Sequence, residues 1–256
     1  MSAPVFLAEP AELRDARTGT DVVLGGDEGR HAVNVRRIRP GETVDLADGA
    51  GRRVRGQVAA AAAGELRVTV DDVHDEPAPT VRLVLVQALA KGGRDEQAVE
   101  MATELGADAV IPWQSRRCVS VWQGAKAAKG RARWQAVARS AAKQSRRAWL
   151  PEVEPLVIGA DLVDRARSVV AAGGAVVVLH EEATVPLAAA TLPAGSGDAA
   201  QVLVVVGPEG GLAPEEVAAL EEVGAAVVLL GPHVLRTSTA GPVAIASLAQ
   251  RLGRWG

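Results

Sequence analysis

The feature that most constrains the fold is a run of five apolar residues, VLVVV at positions 202–206, that ends at GPEGG, positions 207–211. A largely β-branched run of this length is typical of a strand buried on both faces of a parallel sheet. Three glycines in five residues permit a sharp turn with exposed backbone N–H groups. Pro214, Glu215 and Glu216 then predict the start of a helix. The segment therefore predicts a strand, a glycine-rich turn and a helix, the arrangement that binds ligands in open α/β sheets.

The glycine-rich turn does not fit the two familiar phosphate-binding loops. A P-loop continues with Lys and Ser or Thr, whereas Leu212 and Ala213 follow here. A dinucleotide fingerprint has the spacing G-x-G-x-x-G, whereas this turn has G-x-x-G-G. The turn contains the acid Glu209 and no cation, which favours a positively charged or neutral ligand over a triphosphate. The motif alone is equally compatible with an ordinary strand-to-helix connection.

Strand and helix patterns alternate from residue 81 to the C-terminus. Apolar runs predict strands at residues 81–86, 109–112, 176–179, 202–206 and 226–230. Apolar residues at helical spacing predict helices at residues 95–105 and 131–148, and a last helix at about residues 240–252. The segment Gly195-Ser196-Gly197-Asp198 is expected to be a surface loop. This alternation predicts an α/β domain with a mostly parallel sheet.

The first 76 residues show a different pattern, which predicts a small β-rich domain. Short apolar runs predict strands at residues 21–24, 43–46, 53–58 and 66–70, and residues 48–51 (DGAG) predict a hairpin between the second and third. Residues 31–38 could form a short helix that ends before Pro40. Residues 75–79 (DEPAP) are acidic and proline-rich, so they are the best candidate linker. We therefore predict two domains, residues 1–76 and residues 77–256.

The charge distribution predicts a polyanionic partner. The formal net charge of −3 argues against a generally basic nucleic-acid binder. Between Ala109 and Pro151, however, there is no Asp or Glu, while ten Lys and Arg residues occur there. A solvated helical face, which is the alternative, normally mixes both signs of charge. The stretch therefore favours a surface for a polyanion such as RNA.

Several classes of protein and site are disfavoured by composition. The single cysteine, Cys118, excludes an internal disulfide and a cysteine-cluster metal site, and it suits a cytoplasmic protein. The four histidines lack metal-ligand spacing, so we expect no metal. The chain shows neither a membrane-spanning apolar run nor a signal-peptide pattern at its start. With one Phe, five Trp and no Tyr, it has no row of stacking aromatics, so RNA contacts should be mainly to the backbone and one bound base.

Three loops are expected at one edge of the predicted sheet, because the carboxyl ends of parallel strands lie together. They begin at Leu179, Gly207 and Gly231. In the third loop, a hydroxyl of Thr237, Ser238 or Thr239 is expected to cap the last helix.

The two C-terminal motifs carry a resemblance to a known family. GPEGG followed by LGPHVLRTSTA resembles the pattern GPEGG…LGxRILRTETA of the RsmE family, which are bacterial uridine-N3 methyltransferases of 16S small-subunit ribosomal RNA in the SPOUT superfamily. Matching stretches extend over nearly the whole chain: residues 31–38, 91–94, 102–107 (ATELGA), 117–119 and 142–147. The chain departs from the pattern at His233, where the family has Arg, and at Ser238, where it has Glu.

The resemblance implies a small N-terminal PUA-like β-barrel that binds RNA, followed by a SPOUT α/β domain with a C-terminal trefoil knot. It implies S-adenosyl-L-methionine as the cofactor, bound in the knot. The implied partners are 16S ribosomal RNA or the small-subunit particle, and a second copy of the chain. We expect the homodimer interface to include residues 244–252 of the last helix and its small residues Ala240, Ala244 and Ser247.

Methylation at N3 of an unpaired uridine assigns roles to particular side chains. Arg236 is expected to stabilise negative charge on the uracil oxygens, and Glu209 to hold the base or accept its proton. Leu179, Leu230 and Leu235 are expected to pack on adenine. The complete expected cofactor site is Leu179, His180, Glu181, Gly207, Pro208, Glu209, Gly210, Gly211, Leu230, Gly231, Leu235, Arg236, Thr237, Ser238 and Ala240. The expected RNA-binding residues are Arg36, Arg37, Lys91, Arg94, Arg116, Arg117, Arg139, Lys143, Arg146 and Arg147.

Two alternatives remain open at this point. A SPOUT methyltransferase acting on another RNA, such as transfer RNA, would share the cofactor motifs. A non-catalytic RNA-binding or ribosome-assembly factor would keep the basic stretch but would have no use for the intact glycine-rich turn.

Overall fold

The computed structural model describes residues 3–194 and 200–255. The loop expected at residues 195–198 lies outside this part of the chain. The chain forms two compact units, Met1–Ala78 with Ala142–Leu150, and Pro79–Ala141 with Pro151–Gly256. Residues 142–150, which lie beyond the predicted boundary at residue 76, thus pack with the first unit. Among the described residues, no helix combines the length and the apolar character that crossing a membrane requires.

The first unit contains a five-stranded sheet. Its strands and helices, in chain order, are β1 (Val5–Leu7), α1 (Pro10–Leu13), β2 (Asp21–Leu24), α2 (Gly26–Arg30), a π-helical turn (His31–Val35), β3 (Thr43–Ala47), β4 (Arg52–Ala62) and β5 (Glu65–Asp75). The strand order is β1-β3-β4-β5-β2, with β1 parallel to β3 and the other pairs antiparallel. The four predicted strands are confirmed, although β4 and β5 are longer than the apolar runs indicated.

The predicted hairpin between β3 and β4 is also confirmed. The Asp48 carboxylate accepts hydrogen bonds from the backbone N–H groups of Ala50, at 2.7 Å, and Arg52, at 3.0 Å. Gly51 has a φ of +105°, and a Cβ there would lie 2.7 Å from the Trp149 ring. The short helix expected at residues 31–38 is found as the π-helical turn His31–Val35, which follows directly on α2 and ends earlier than expected.

The second unit is built on a seven-stranded, wholly parallel sheet. Its elements are β6 (Arg82–Ala88), α3 (Arg94–Glu104), β7 (Ala109–Gln114), α4 (Ala125–Gln144), β8 (Glu152–Val153), β9 (Val157–Ile158), α5 (Ala160–Ala171), β10 (Ala175–Leu179), a 3-10 turn (Leu187–Ala189), β11 (Gln201–Val206), α6 (Pro214–Glu222), β12 (Ala226–Val228) and α7 (Thr237–Arg251). The order is β12-β10-β11-β6-β7-β8, and β9 also pairs with β7. The alternation of strands and helices predicted this parallel arrangement correctly.

Both faces of this sheet are buried, which explains the continuous apolar runs. Successive side chains of a strand point to opposite faces. Val204 and Val206 accordingly pack in one apolar cluster with Ala244 of α7, whereas Val205 packs in the other with Leu162 of α5.

Two predicted helix boundaries need correction. The helix expected at residues 131–148 begins at Ala125 and ends at Gln144. Arg146 has a φ of +58°, which an α-helix does not accommodate. The last helix begins at Thr237, three residues before its expected start, and Pro242 lies inside it.

The last helix is packed into its own chain. Ala244, Ile245 and Leu248 are fully buried, and a Cβ on Gly241 would lie 2.7 Å from Leu85 Cδ1. The expectation that Ala244 belongs to a dimer interface is therefore wrong, because this residue already faces the interior of a single chain.

Candidate active site

The three predicted loops meet at one edge of the parallel sheet. They follow β10, β11 and β12, and they surround a cleft of 720 Å³. The backbone N–H of His180, just after β10, donates to the carbonyl of Val228 at the end of β12, at 3.0 Å. The carboxyl edge of the sheet therefore forms the walls of one cleft, as the strand order requires.

The glycine-rich turn forms one wall of this cleft through its backbone. The N–H of Gly211 donates to the carbonyl of Pro208 at 3.0 Å, and Gly211 has a φ of +70°. A Cβ on Gly210 would lie 3.6 Å from the nearest atom, Arg117 Cβ, which is ordinary contact distance. Gly211 is thus required by the shape of the turn, whereas Gly210 leaves the cleft open on its side.

Two consecutive hydrogen bonds link the glycine-rich turn, the last helix and β6. The Thr237 hydroxyl donates to the carbonyl of Gly207 at 2.7 Å, and the Gln87 side-chain amide donates to Thr237 Oγ1 at 2.8 Å. Gln87 is fully buried at the end of β6, opposite Val206 of β11. The expectation that a Thr or Ser hydroxyl caps α7 is wrong, because Arg236 is the N-cap residue and makes no side-chain cap hydrogen bond. The hydroxyl of Thr237 instead fixes the first residue of the glycine-rich turn.

Two arginines approach the same turn from other segments. Arg117 Nη1 donates to the carbonyl of Gly210 at 3.2 Å. Arg94 Nη1 forms an ion pair with Glu209 Oε1 at 3.3 Å, and the same oxygen accepts from the backbone N–H of Lys91 at 3.2 Å. These contacts hold the Glu209 carboxylate at the rim of the cleft.

Of Arg94, Arg117 and Arg236, the arginines that line the cleft, Arg236 is held by the fewest contacts. It is exposed, it lines the cleft immediately before α7, and its guanidinium has no ion pair or hydrogen bond within the described part of the chain. His233 and Val234 in the same loop are also exposed, Val234 by 76%. This loop therefore offers an unneutralised positive charge to a bound ligand.

Fourteen of the fifteen residues expected to bind cofactor line the cleft, as do both expected catalytic residues. The exception is Ser238, which is 4% exposed and lies inside the first turn of α7. Further residues that the sequence did not predict also line the cleft, and most of them neighbour the expected residues in the same loops. They are Glu182, Val206, Leu212, Pro214, Leu229, Pro232, His233 and Val234. Arg94 and Arg117, expected to bind RNA, also line the cleft.

The residues expected to bind RNA have diverse surroundings. Arg36 and Arg37 are exposed in the first unit, and Lys91, Arg116 and Arg139 are exposed in the second. Arg146 is exposed and Arg147 is half-buried. Arg116 Nη1 lies 3.9 Å from Glu215 Oε2.

Lys143 differs from the other expected RNA-binding residues. It pairs with Glu28 at 2.8 Å and lies 5.9 Å from the centre of the Phe6 ring. An acid thus neutralises Lys143 within the first unit, which indicates a structural role.

Metal and thiol chemistry find no support in the described residues. No group of three His, Cys, Asp or Glu side chains there is arranged to hold a metal ion. Burial raises the pKa of the Cys118 thiol, whose Sγ lies 3.2 Å from Ser115 Oγ. A thiol with a raised pKa stays protonated at neutral pH, so Cys118 suits packing better than nucleophilic attack.

The chain matches two family models. Residues 76–249 match an RNA methyltransferase domain, and residues 24–71 match an RNA methyltransferase PUA domain. Together with the α/β fold and the neighbouring structure below, these matches confirm the expected class, a PUA-like domain followed by an α/β methyltransferase domain.

Curated relatives and a solved structure agree with these matches. The chain is 51% identical to ribosomal RNA small subunit methyltransferase E of Mycobacterium bovis, over 93% of this chain and 89% of that protein. It is 30% identical to the Bacillus subtilis protein of the same name, over 88% of each. The crystal structure of the Neisseria gonorrhoeae protein of that name, bound to S-adenosyl methionine, matches with a TM-score of 0.82 and 26% identity, over 98% of each chain. The protein therefore belongs to the ribosomal RNA small subunit methyltransferase E family, the RsmE family.

Proposed function

We propose that this protein transfers the methyl group of S-adenosylmethionine to N3 of a specific unpaired uridine in 16S ribosomal RNA. The observation that carries the proposal is the cleft in which the glycine-rich turn, Glu209 and Arg236 lie together, with no ion pair on Arg236 among the described residues. Family membership and the S-adenosyl methionine complex of the Neisseria relative support the choice of cofactor.

The cleft suits the shape and charge of this cofactor. Backbone groups of the glycine-rich turn are available to hydrogen-bond the adenine and ribose, and Leu179, Leu230 and Leu235 offer apolar contact to the adenine ring. The sulfonium of the cofactor is a cation, which fits a turn that contains an acid and no basic residue. Of the residues expected to bind cofactor, Ser238 alone is left out of the proposal, because it lies inside α7.

The reaction is an in-line displacement, so the protein contributes mainly by positioning. The methyl carbon forms a bond to uridine N3 as its bond to sulfur breaks, and S-adenosylhomocysteine leaves. The N3 proton must be removed, which places negative charge on the uracil ring and its oxygens. Arg236 stabilises this charge, and Glu209, oriented by Arg94, contacts the base or accepts its proton.

The remaining assignments complete the proposal. Residues 1–76, with residues 142–150 packed on them, form the RNA-binding domain, and the rest of residues 77–256 forms the methyltransferase domain, whose C-terminal chain threads through a loop as a trefoil knot. The protein works in the cytoplasm as a homodimer, on 16S ribosomal RNA or the small-subunit particle. The RNA contacts are Arg36, Arg37, Lys91, Arg94, Arg116, Arg117, Arg139, Arg146 and Arg147, without Lys143 because Glu28 neutralises it.

Gly210→Val tests the cofactor site. Gly210 has ordinary φ and room for a Cβ, so the variant should fold with little change in melting temperature. The valine methyls should enter the cleft and weaken S-adenosylmethionine binding by at least tenfold, about 1.4 kcal/mol. Calorimetry measures the affinity, and Gly210→Ala is the smaller-volume control. A folded valine variant with wild-type affinity would remove the turn from the cofactor site.

Mass spectrometry of 16S ribosomal RNA tests the substrate. RNA from a strain that lacks this protein should lose one N3-methyluridine, and the purified protein with S-adenosylmethionine should restore it. Restoration by the Arg236→Ala variant at the wild-type rate would contradict the role of Arg236.

A further inference from the structure

A second pocket, which we call the lysine pocket, lies in the second unit beside the loop 91–94. Its volume is 650 Å³. Its charged lining consists of Lys91, Lys126, Lys129 and Arg133 with Asp95 and Glu96. The whole chain contains four lysines, so three of the four line this one pocket.

The lysine pocket has more basic than acidic side chains in its lining. Arg133 pairs with Glu96 at 2.8 Å. The ammonium groups of Lys91, Lys126 and Lys129 have neither an ion pair nor a hydrogen bond in the described part of the molecule. Three like charges at one concave site repel each other, and a bound anion would relieve that repulsion.

Of the two acids that line the pocket, Asp95 is buried and accepts hydrogen bonds from the backbone. Asp95 is 5% exposed, and its carboxylate accepts hydrogen bonds from the backbone N–H groups of Ala90, at 3.2 Å, and Glu96, at 2.9 Å. Burial raises the pKa of Asp95. These hydrogen bonds fix the loop before α3, and among the described residues no ion pair joins Asp95 to the three lysines.

Two tryptophans form an apolar part of the pocket lining. The rings of Trp122 and Trp134 meet edge to face, with centroids 5.2 Å apart. A Cβ on Gly130 would lie 2.5 Å from Trp122 Cε2, so a glycine near the start of α4 lets the ring pack on the helix backbone. Glycine weakens a helix interior relative to alanine. Its presence here is explained by the shape it gives this part of the lining.

The loop 91–94 belongs both to the lysine pocket and to the cofactor cleft. Lys91 lines the lysine pocket, while its backbone N–H donates to Glu209 of the cleft at 3.2 Å. Arg94, three residues later, lines the cleft and pairs with Glu209. An extended anionic ligand that lies in the lysine pocket can therefore continue around this loop to the cleft.

We propose that the lysine pocket binds the phosphodiester backbone of the substrate RNA next to the methylated base, with Lys91, Lys126 and Lys129 contacting phosphates. The inference rests on the proposed function and adds an anchoring site to it. Lysine is a compact charge on a flexible stem, which suits phosphates that are not held in one fixed orientation. Because Lys126 and Lys129 are exposed on α4, their replacement leaves the core of the unit intact.

The test is RNA binding by the double variant Lys126→Gln/Lys129→Gln across a salt series. A fluorescent fragment of 16S ribosomal RNA is the probe, read by anisotropy. Each lost phosphate contact lowers the slope of log K against log salt by roughly one unit, so we expect a decrease of about two. The KM for RNA should rise, while kcat at saturating RNA and the affinity for S-adenosylmethionine stay at wild-type values.

Arg167→Gln is the matched control, because it also removes an exposed positive charge from a helix of the second unit, where Arg167 pairs with Asp164. It should keep the wild-type slope. A wild-type slope in the double variant, or the same decrease in the control, would overturn the proposal. Polyglutamate serves as an acidic peptide probe. If the double variant binds polyglutamate more weakly than wild type but binds RNA equally well, the proposal is also overturned, because the partner of the pocket would then be a protein.

The two proposals fail in different ways. If the wild-type protein transfers no methyl group to RNA, the proposed function is wrong. The salt slopes do not depend on turnover and still decide whether the lysine pocket contacts RNA.

Discussion

At the scale of single residues, Thr237 shows the largest difference between the role predicted from the sequence and the role found in the structure. Its position after a loop predicted a helix cap, yet its hydroxyl donates to Gly207, and Gln87 donates to it from the neighbouring strand. No local sequence pattern predicts this pair of hydrogen bonds, because Gln87 and Thr237 are 150 residues apart.

Thr237→Val should loosen the cofactor cleft. The substitution keeps the volume but leaves the Gly207 carbonyl and one Gln87 N–H without their partner, at a cost of about 1–3 kcal/mol. We expect a lower melting temperature and, below the unfolding transition, about tenfold weaker S-adenosylmethionine binding by calorimetry. Thr237→Ser keeps the hydroxyl and should bind the cofactor nearly as well as wild type. Equal weakening in both variants would show that the hydroxyl chain does not position the turn.

Arg236 should act on the chemical step. Removing one electrostatic stabiliser of a developing anion typically lowers kcat about 100- to 1,000-fold. Arg236→Ala should show this loss in a methyl-transfer assay while its RNA affinity stays unchanged, and Arg236→Lys should recover part of the rate by restoring positive charge. A fall in RNA affinity as large as the fall in kcat would instead place Arg236 in the binding surface.

At the scale of elements, the sequence predicts interiors better than ends. The strand at residues 202–206 and the helix at 95–105 are found within one residue of their predicted bounds, because their apolar spacing is set by a sheet buried on both faces. The helix predicted at residues 131–148 is displaced. The prediction of this helix depended on its apolar face alone. The chain leaves the helix before Arg146, which has a positive φ, and because this residue is not a glycine the sequence gives no sign of the helix end.

The candidate site was predictable as a set of loops but not as a set of contacts. Parallel strand order brings the three loops together, so nearly all of the expected cofactor residues line the cleft. The pairing of Glu209 with Arg94, and of Lys143 with Glu28, joins residues 115 positions apart in each case. Periodicity carries no information about such pairs, so the acid-free stretch around Lys143 did not reveal its partner Glu28.

At the scale of the whole molecule, the exposed side of α7 is the part of the last helix that is available to the proposed homodimer. The buried side, with Ala244, Ile245 and Leu248, is used inside the chain. Val243 is 38% exposed, Gln250 is exposed, and Ala246 between them is partly exposed. These three residues are spaced three and four apart, so they lie on one side of the helix.

Val243→Glu should therefore shift the protein towards the monomer. A carboxylate at the centre of an apolar contact has to be desolvated without a partner, which is strongly unfavourable, whereas in the free chain the same side chain stays in water. Light scattering at micromolar concentration should show a dimer for wild type and a smaller mass for the variant, with no loss of melting temperature beyond that caused by dissociation. Ile158→Glu, at a position 46% exposed in the same unit, is the control and should stay dimeric. A dimeric Val243→Glu variant would exclude this side of α7 from the interface, and a monomeric wild type would exclude the homodimer.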